Sequence, residues 1–119
     1  MKKVLVADDE LQVRELLRVF LEKEGFLVKV ASSVEEVKEL LEKEKIDLLL
    51  LDYNLFGKKI EELISKAKFL NKDSKIFILS GFNPEILEKS LASKELIEGL
   101  LSKAEDIDKI LERIIQALS

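Results

Sequence analysis

Four consecutive leucines, Leu48 to Leu51, run straight into Asp52 in the stretch LLLLDYNLFG. Side chains alternate across a strand, so an unbroken apolar run of this length reads as a strand buried on both faces. Asp52 then stands where that strand stops. A carboxylate there is either a solvated terminus or a group held at the rim of a site, and the four leucines before it place it beside the core.

Four further short, largely apolar runs occur: Val4–Ala7, Phe26–Ala31, Lys75–Leu79 and Ile97–Leu101. Segments of helical period separate the five runs. Val13, Leu16, Leu17, Phe20 and Leu21 form the first apolar stripe, with Gly25 as its stop. The second helix opens at SSVEEV, where Ser32 and Glu35 have capping-box spacing. Ile60, Leu63, Ile64 and Ala67 share a face of the third. Asn83 and Pro84 suit the cap and first turn of the fourth. Ile107, Ile110, Leu111, Ile114 and Leu118 line the fifth. Strands joined through helices run parallel. The spacing therefore predicts one (βα)₅ domain over 1–119, an α/β doubly wound sheet of flavodoxin-like strand order 2-1-3-4-5.

Composition narrows the chemistry. The chain has no cysteine and no histidine. Thiolate and imidazole metal sites, disulfides and histidine acid–base catalysis are all excluded. The net charge of −4 offers no broad attraction for nucleic acid or an anionic membrane. The apolar start at MKKVLVADDE breaks at Asp8, too early for a signal peptide, and no apolar run is long enough to span a membrane. A cytoplasmic location is the expectation.

In an open parallel sheet, ligands bind beyond the carboxyl ends of the strands, where the strand order reverses. Here the first strand ends in Asp8, Asp9 and Glu10, the third in Asp52, the fourth in Ser80 and the fifth near Lys103. Taken singly, Asp8 and Asp9 would suit a helix N-terminus and Ser80 a turn. Together they gather carboxylates in one crevice. Two unit charges ~4 Å apart repel by about 4 kcal/mol at an effective dielectric of 20. Lys103 offsets part of this. A divalent cation held by oxygen alone, Mg²⁺ or Mn²⁺, would offset more. Asp52 is then placed to attack phosphorus, since an ionised carboxylate needs no general base. Ser80 could donate to a phosphoryl oxygen, and Gly81 leaves room beside it.

These four motifs, the acidic pair of VLVADDE, the Asp of LLLLDYNLFG, the Ser of IFILSGF and the Lys of GLLSKA, resemble those of two-component response-regulator receiver domains. The resemblance runs from Lys2 to Leu118. It implies that Asp52 accepts a phosphoryl group from a sensor histidine kinase or phosphotransfer protein. It implies that Asp9 holds Mg²⁺ directly, Asp8 through water, and that the Asn54 backbone carbonyl adds a ligand. Lys103 would pair with the phosphoryl group, and Ser80 would move toward it. An unidentified downstream protein would read the result.

Several positions depart from the family pattern. Phe56 replaces a common Pro, Ile60 a usual Gly, Leu96 and Ile97 a small pair before the fifth strand, and Ala104 the Pro after the lysine. Leu100 stands where an aromatic switch residue is usual. Leu100 is expected to be buried in both states and so to mute the rearrangement of the face built from the fourth helix, fifth strand and fifth helix. A pseudo-receiver that binds without being phosphorylated is the alternative these departures keep open. A haloacid-dehalogenase-type phosphatase is less well matched, because Asn54 stands where its second acid is needed. A flavodoxin would need a phosphate loop after the first strand, and none follows.

Overall fold

The computed structural model describes residues 1–119. Five parallel strands, β1 (Lys3–Ala7), β2 (Leu27–Ala31), β3 (Leu48–Asp52), β4 (Lys75–Ser80) and β5 (Gly99–Ser102), form one sheet in the order β2-β1-β3-β4-β5. The helices are α1 (Leu11–Lys23), α2 (Val34–Lys43), α3 (Tyr53–Phe56), α4 (Ile60–Leu70), α5 (Pro84–Ser90) and α6 (Ile107–Leu118). Fold and strand order are those the alternating pattern predicts.

The leucine run explains the layering. Leu49 and Leu51 point into one core with Leu5, Ile76, Ile78 and the inner faces of α2, α4 and α5. Leu48 and Leu50 point into the other with Val4, Val6, Phe77, Leu79 and the stripes of α1 and α6. All five residues of β3 are buried, and Leu48–Leu51 are each at most 1% exposed. Burying a Leu side chain is worth roughly 1.5–3 kcal/mol, so the central strand is strongly held.

The structure differs from the sequence reading at three local points. The cap of α2 is Ser33, whose Oγ accepts the Glu36 N–H at 3.2 Å, not Ser32 with Glu35. SSVEE satisfies the capping-box spacing in two frames, and packing of Val37 and Leu41 selects the second. The third helix is preceded by the single turn α3 and by a 3₁₀ turn over Gly57–Lys59. Phe56 is buried there, and its side chain draws the loop against the core. The last strand begins at Gly99, not Ile97, since Lys94–Leu96 form a 3₁₀ turn and Glu98 joins β4 by one bond to the Ile76 carbonyl at 2.7 Å.

The turn after β3 closes on Gly57, at φ 54° and ψ −132°. Only glycine reaches that region without strain. Gly57→Ala should therefore cost about 1–3 kcal/mol although an added Cβ would meet no atom within 4 Å. Urea unfolding is the check, and unchanged stability would mean that the β3–α4 connection takes another path.

Candidate functional site

Four polar residues are buried: Asp8, Asp52, Ser74 and Ser80. Three of them lie at the carboxyl ends of the adjacent strands β1, β3 and β4. Each of these three accepts a backbone N–H two residues on. Asp8 Oδ1 accepts from Glu10 at 2.8 Å, Asp52 Oδ1 from Asn54 at 3.0 Å, and Ser80 Oγ from Phe82 at 2.9 Å. The side chains thus turn strand into loop and are themselves fixed in direction. The second carboxylate oxygens, Asp8 Oδ2 and Asp52 Oδ2, are buried and make no hydrogen bond.

Lys103 enters from the far side. Its backbone N–H donates to the Ser80 carbonyl at 2.9 Å, extending the β4–β5 pairing by one residue. Its Nζ lies 3.2 Å from Asp8 Oδ2 and 3.2 Å from Asp52 Oδ2, close enough for charge attraction but outside hydrogen-bond geometry. Its shortest contact is with Glu10 Oε1, at 2.7 Å.

With that geometry established, comparison with known families is decisive: a family model for the response regulator receiver domain matches residues 4–115. The chain belongs to the response-regulator receiver family. The sporulation initiation phosphotransferase F of Bacillus subtilis is 29% identical over 116 residues, covering 95% of this chain and 90% of its own. A response regulator of Thermotoga maritima, solved in complex with Mg²⁺-BeF, is 28% identical with a TM-score of 0.83, over 98% of this chain and 99% of that one. The same regulator in complex with a histidine kinase gives 29% identity, a TM-score of 0.82 and full coverage of both chains.

Among the receiver-type positions, Asp8, Asp52, Ser80 and Lys103 converge as described. Asp9 is exposed, yet its carboxylate lies within 4.8 Å of those of Asp8 and Glu10. The repulsion that matters is therefore between Asp8 and Asp52, which water cannot screen, and not at Asp9, where the sequence alone would put it equally. Asn54 is exposed at the turn of α3. Gly81 is open, and an added Cβ there would meet no atom within 4 Å. Tyr53 and Phe82 meet edge to face across the mouth of the site, with ring centroids 6.1 Å apart.

Leu100 is half-buried, not buried as expected. β5 is an edge strand, α5 beside it has only seven residues, and a cavity of about 370 Å³ opens between Leu91, Ile97 and Leu100. Sequence reasoning also missed Arg113 of α6, which donates to the Leu100 carbonyl at 2.7 Å and lies over the Phe77 ring. Nothing in the apolar period of α6 marks this arginine as different from its solvated neighbours. Glu10 was legible as a carboxylate of the acidic run, but its pairing with Lys103 was not.

Burial pushes the Asp52 carboxyl up to about 6 from an ordinary 3.8, and the neighbouring Asp8 charge adds to this; Lys103 and the Asn54 N–H pull against it. Burial also pulls Lys103 down, but Glu10, Asp8 and Asp52 together outweigh that and hold its ammonium above the usual range. A hard cation fits this donor set, since the ligands are all oxygen and two buried carboxylate oxygens lack a hydrogen bond.

In metal-free protein the folded state holds a proton on Asp52 between about pH 4 and 6 that the unfolded state has released, so stability falls as pH rises through that window. Asp52→Asn removes the penalty. It should raise the metal-free melting temperature at pH 7.5, with a gain of at most about 3 kcal/mol that vanishes below pH 4. A lower melting temperature for the variant at pH 7.5 would contradict this.

Proposed function

We propose that Asp52 is the phosphoacceptor of a receiver that takes its phosphoryl group from a histidine kinase or a phosphotransfer protein and signals through protein contacts. The observation that carries this reading is the buried Asp52 carboxylate with one oxygen free, facing Lys103 and Asp8 at the strand ends.

Asp52 Oδ2 attacks phosphorus, the bond from phosphorus to the donor nitrogen breaks, and the imidazole leaves with the electron pair. The product is an acyl phosphate on Asp52. Lys103 gives an N–H to the transferred group and neutralises part of its charge. The Ser80 hydroxyl accepts from Phe82 and retains its own hydrogen for a phosphoryl oxygen. Asp8, Asp9, Asp52 and the Asn54 backbone carbonyl would hold Mg²⁺ or Mn²⁺. The cation supplies positive charge that lets a phosphate approach a cluster of carboxylates. A slow self-modification from small donors, and slow loss of the group to water, belong to the same chemistry without making the protein an enzyme in the ordinary sense.

The kinase-bound regulator among the relatives supports a protein donor. No helix is long and apolar enough to cross a membrane. With a net charge of −4, the partners on this reading are proteins rather than nucleic acid or a membrane surface, in the cytoplasm. Leu100 and the other departures favour a pseudo-receiver as the second reading; the intact set of Asp8, Asp52 and Lys103 weighs against it.

Intact mass after incubation with acetyl phosphate separates the two. Wild type should gain one phosphoryl group, only with a divalent cation, and Asp52→Asn should gain none. In the same comparison with beryllofluoride, amide shifts should be large over Asp52–Ile60 and Ser80–Glu85 and small at Leu100 and in α6. No mass gain by wild type, with no response to beryllofluoride, would establish the pseudo-receiver.

A further inference from the structure

We propose that Glu10 is a latch on Lys103, holding the ammonium in the unphosphorylated protein and so setting how fast Asp52 is modified. This rests on Asp52 being the phosphoacceptor.

Lys103 hydrogen-bonds Glu10 Oε1 at 2.7 Å and, at the limit of 3.5 Å, Asp8 Oδ1. Asp8 Oδ2 and Asp52 Oδ2 lie 3.2 Å away but outside hydrogen-bond geometry. A phosphoryl group on Asp52 adds a strongly charged acceptor, and of the contacts that hold the ammonium back from it the Glu10 bond is the shortest. Asp8 and Asp52 are fully buried at strand ends, and each has Oδ1 tied to a backbone N–H. Neither can withdraw. Glu10 is 58% exposed on a flexible side chain, so its release into water is easy. It is the partner that lets go.

A second observation supports a dedicated use of this side chain. Glu10 is the N-cap residue of α1, with extended backbone, yet its side chain makes no capping bond. The first turn of α1 carries no other acid. The Glu10 carboxylate is directed to Lys103 instead. Glu10 touches neither the acceptor nor the incoming group in this arrangement, and it acts through Lys103 as a positioning residue.

The test is the time course of phosphorylation by acetyl phosphate, followed by intact mass over a series of Mg²⁺ concentrations, for wild type, Glu10→Gln and Glu10→Asp. Glu10→Asp keeps the charge but is too short to hold the contact. Both variants should reach the same single modification as wild type, about twofold to fivefold faster at saturating Mg²⁺, the worth of an exposed ion pair. The Mg²⁺ concentration giving half the maximal rate should not change. Acceleration by Glu10→Gln alone would assign the effect to net charge and overturn the latch. Slower modification in either variant would make Glu10 a support for Lys103, and a raised Mg²⁺ requirement would make it a cation ligand; both overturn the proposal. Equal rates in all three proteins, each fully modified, would remove the latch and leave the phosphoacceptor intact. No modification of any of them would remove both.

Discussion

The attraction between one lysine and two buried carboxylates, Lys103 with Asp8 and Asp52, is the constraint around which this molecule is arranged. Two negative charges side by side in a core are unfavourable, and a single ammonium offsets them incompletely. The surrounding fold must hold them together against that cost. It does so with the best-buried part of the sheet, since Asp8 and Asp52 directly follow Val4–Ala7 and Leu48–Leu51, and β1 and β3 are adjacent. Apolar burial thus fixes a charge arrangement that isolated side chains would not adopt. On the proposed reading, this shortage of positive charge is what would draw in a cation and, with the cation, a phosphoryl group.

The layered fold was readable because its causes are local and repeated. Leu48–Leu51 specify a strand covered on both faces, and the helical stripes supply the cover. The strand-end residues were readable for a related reason: in a parallel sheet the topology alone carries Asp8, Asp52, Ser80 and Lys103 to one edge. What escaped depends on side-chain direction or on competition between near-equal choices. Ser32 and Ser33 both satisfy the same capping pattern. The turn α3 depends on how Phe56 packs, and the bond from Arg113 to the Leu100 carbonyl joins residues on different elements. That Asp8 is buried and Asp9 exposed is likewise not written in an acidic dipeptide.

The departures from the family pattern lie on the side that would report the reaction, not on the side that would perform it. Leu100 is smaller than an aromatic and sits half-exposed beside a cavity, with its carbonyl anchored by Arg113. A ligand shifts a conformational equilibrium only through contacts that differ between the two states. A side chain without a ring or hydroxyl has fewer contacts to exchange than an aromatic, and the Arg113 bond to the Leu100 carbonyl holds this edge strand in place. The exposed residues of the loops after β3 and β4, Asn54, Gly81 and Phe82, are on the proposed reading the parts free to respond.

The central claim is that Asp8 and Asp52 form a buried pair short of positive charge. Its most direct test is a carbon-13 titration of the aspartate carboxyl groups in metal-free protein. Asp52 should titrate near 6, well above the ordinary 3.8, and fall toward that ordinary value when Mg²⁺ is added. Titration of Asp52 below about 4.5 without metal, within the ordinary range for a solvated carboxylate, would contradict the account.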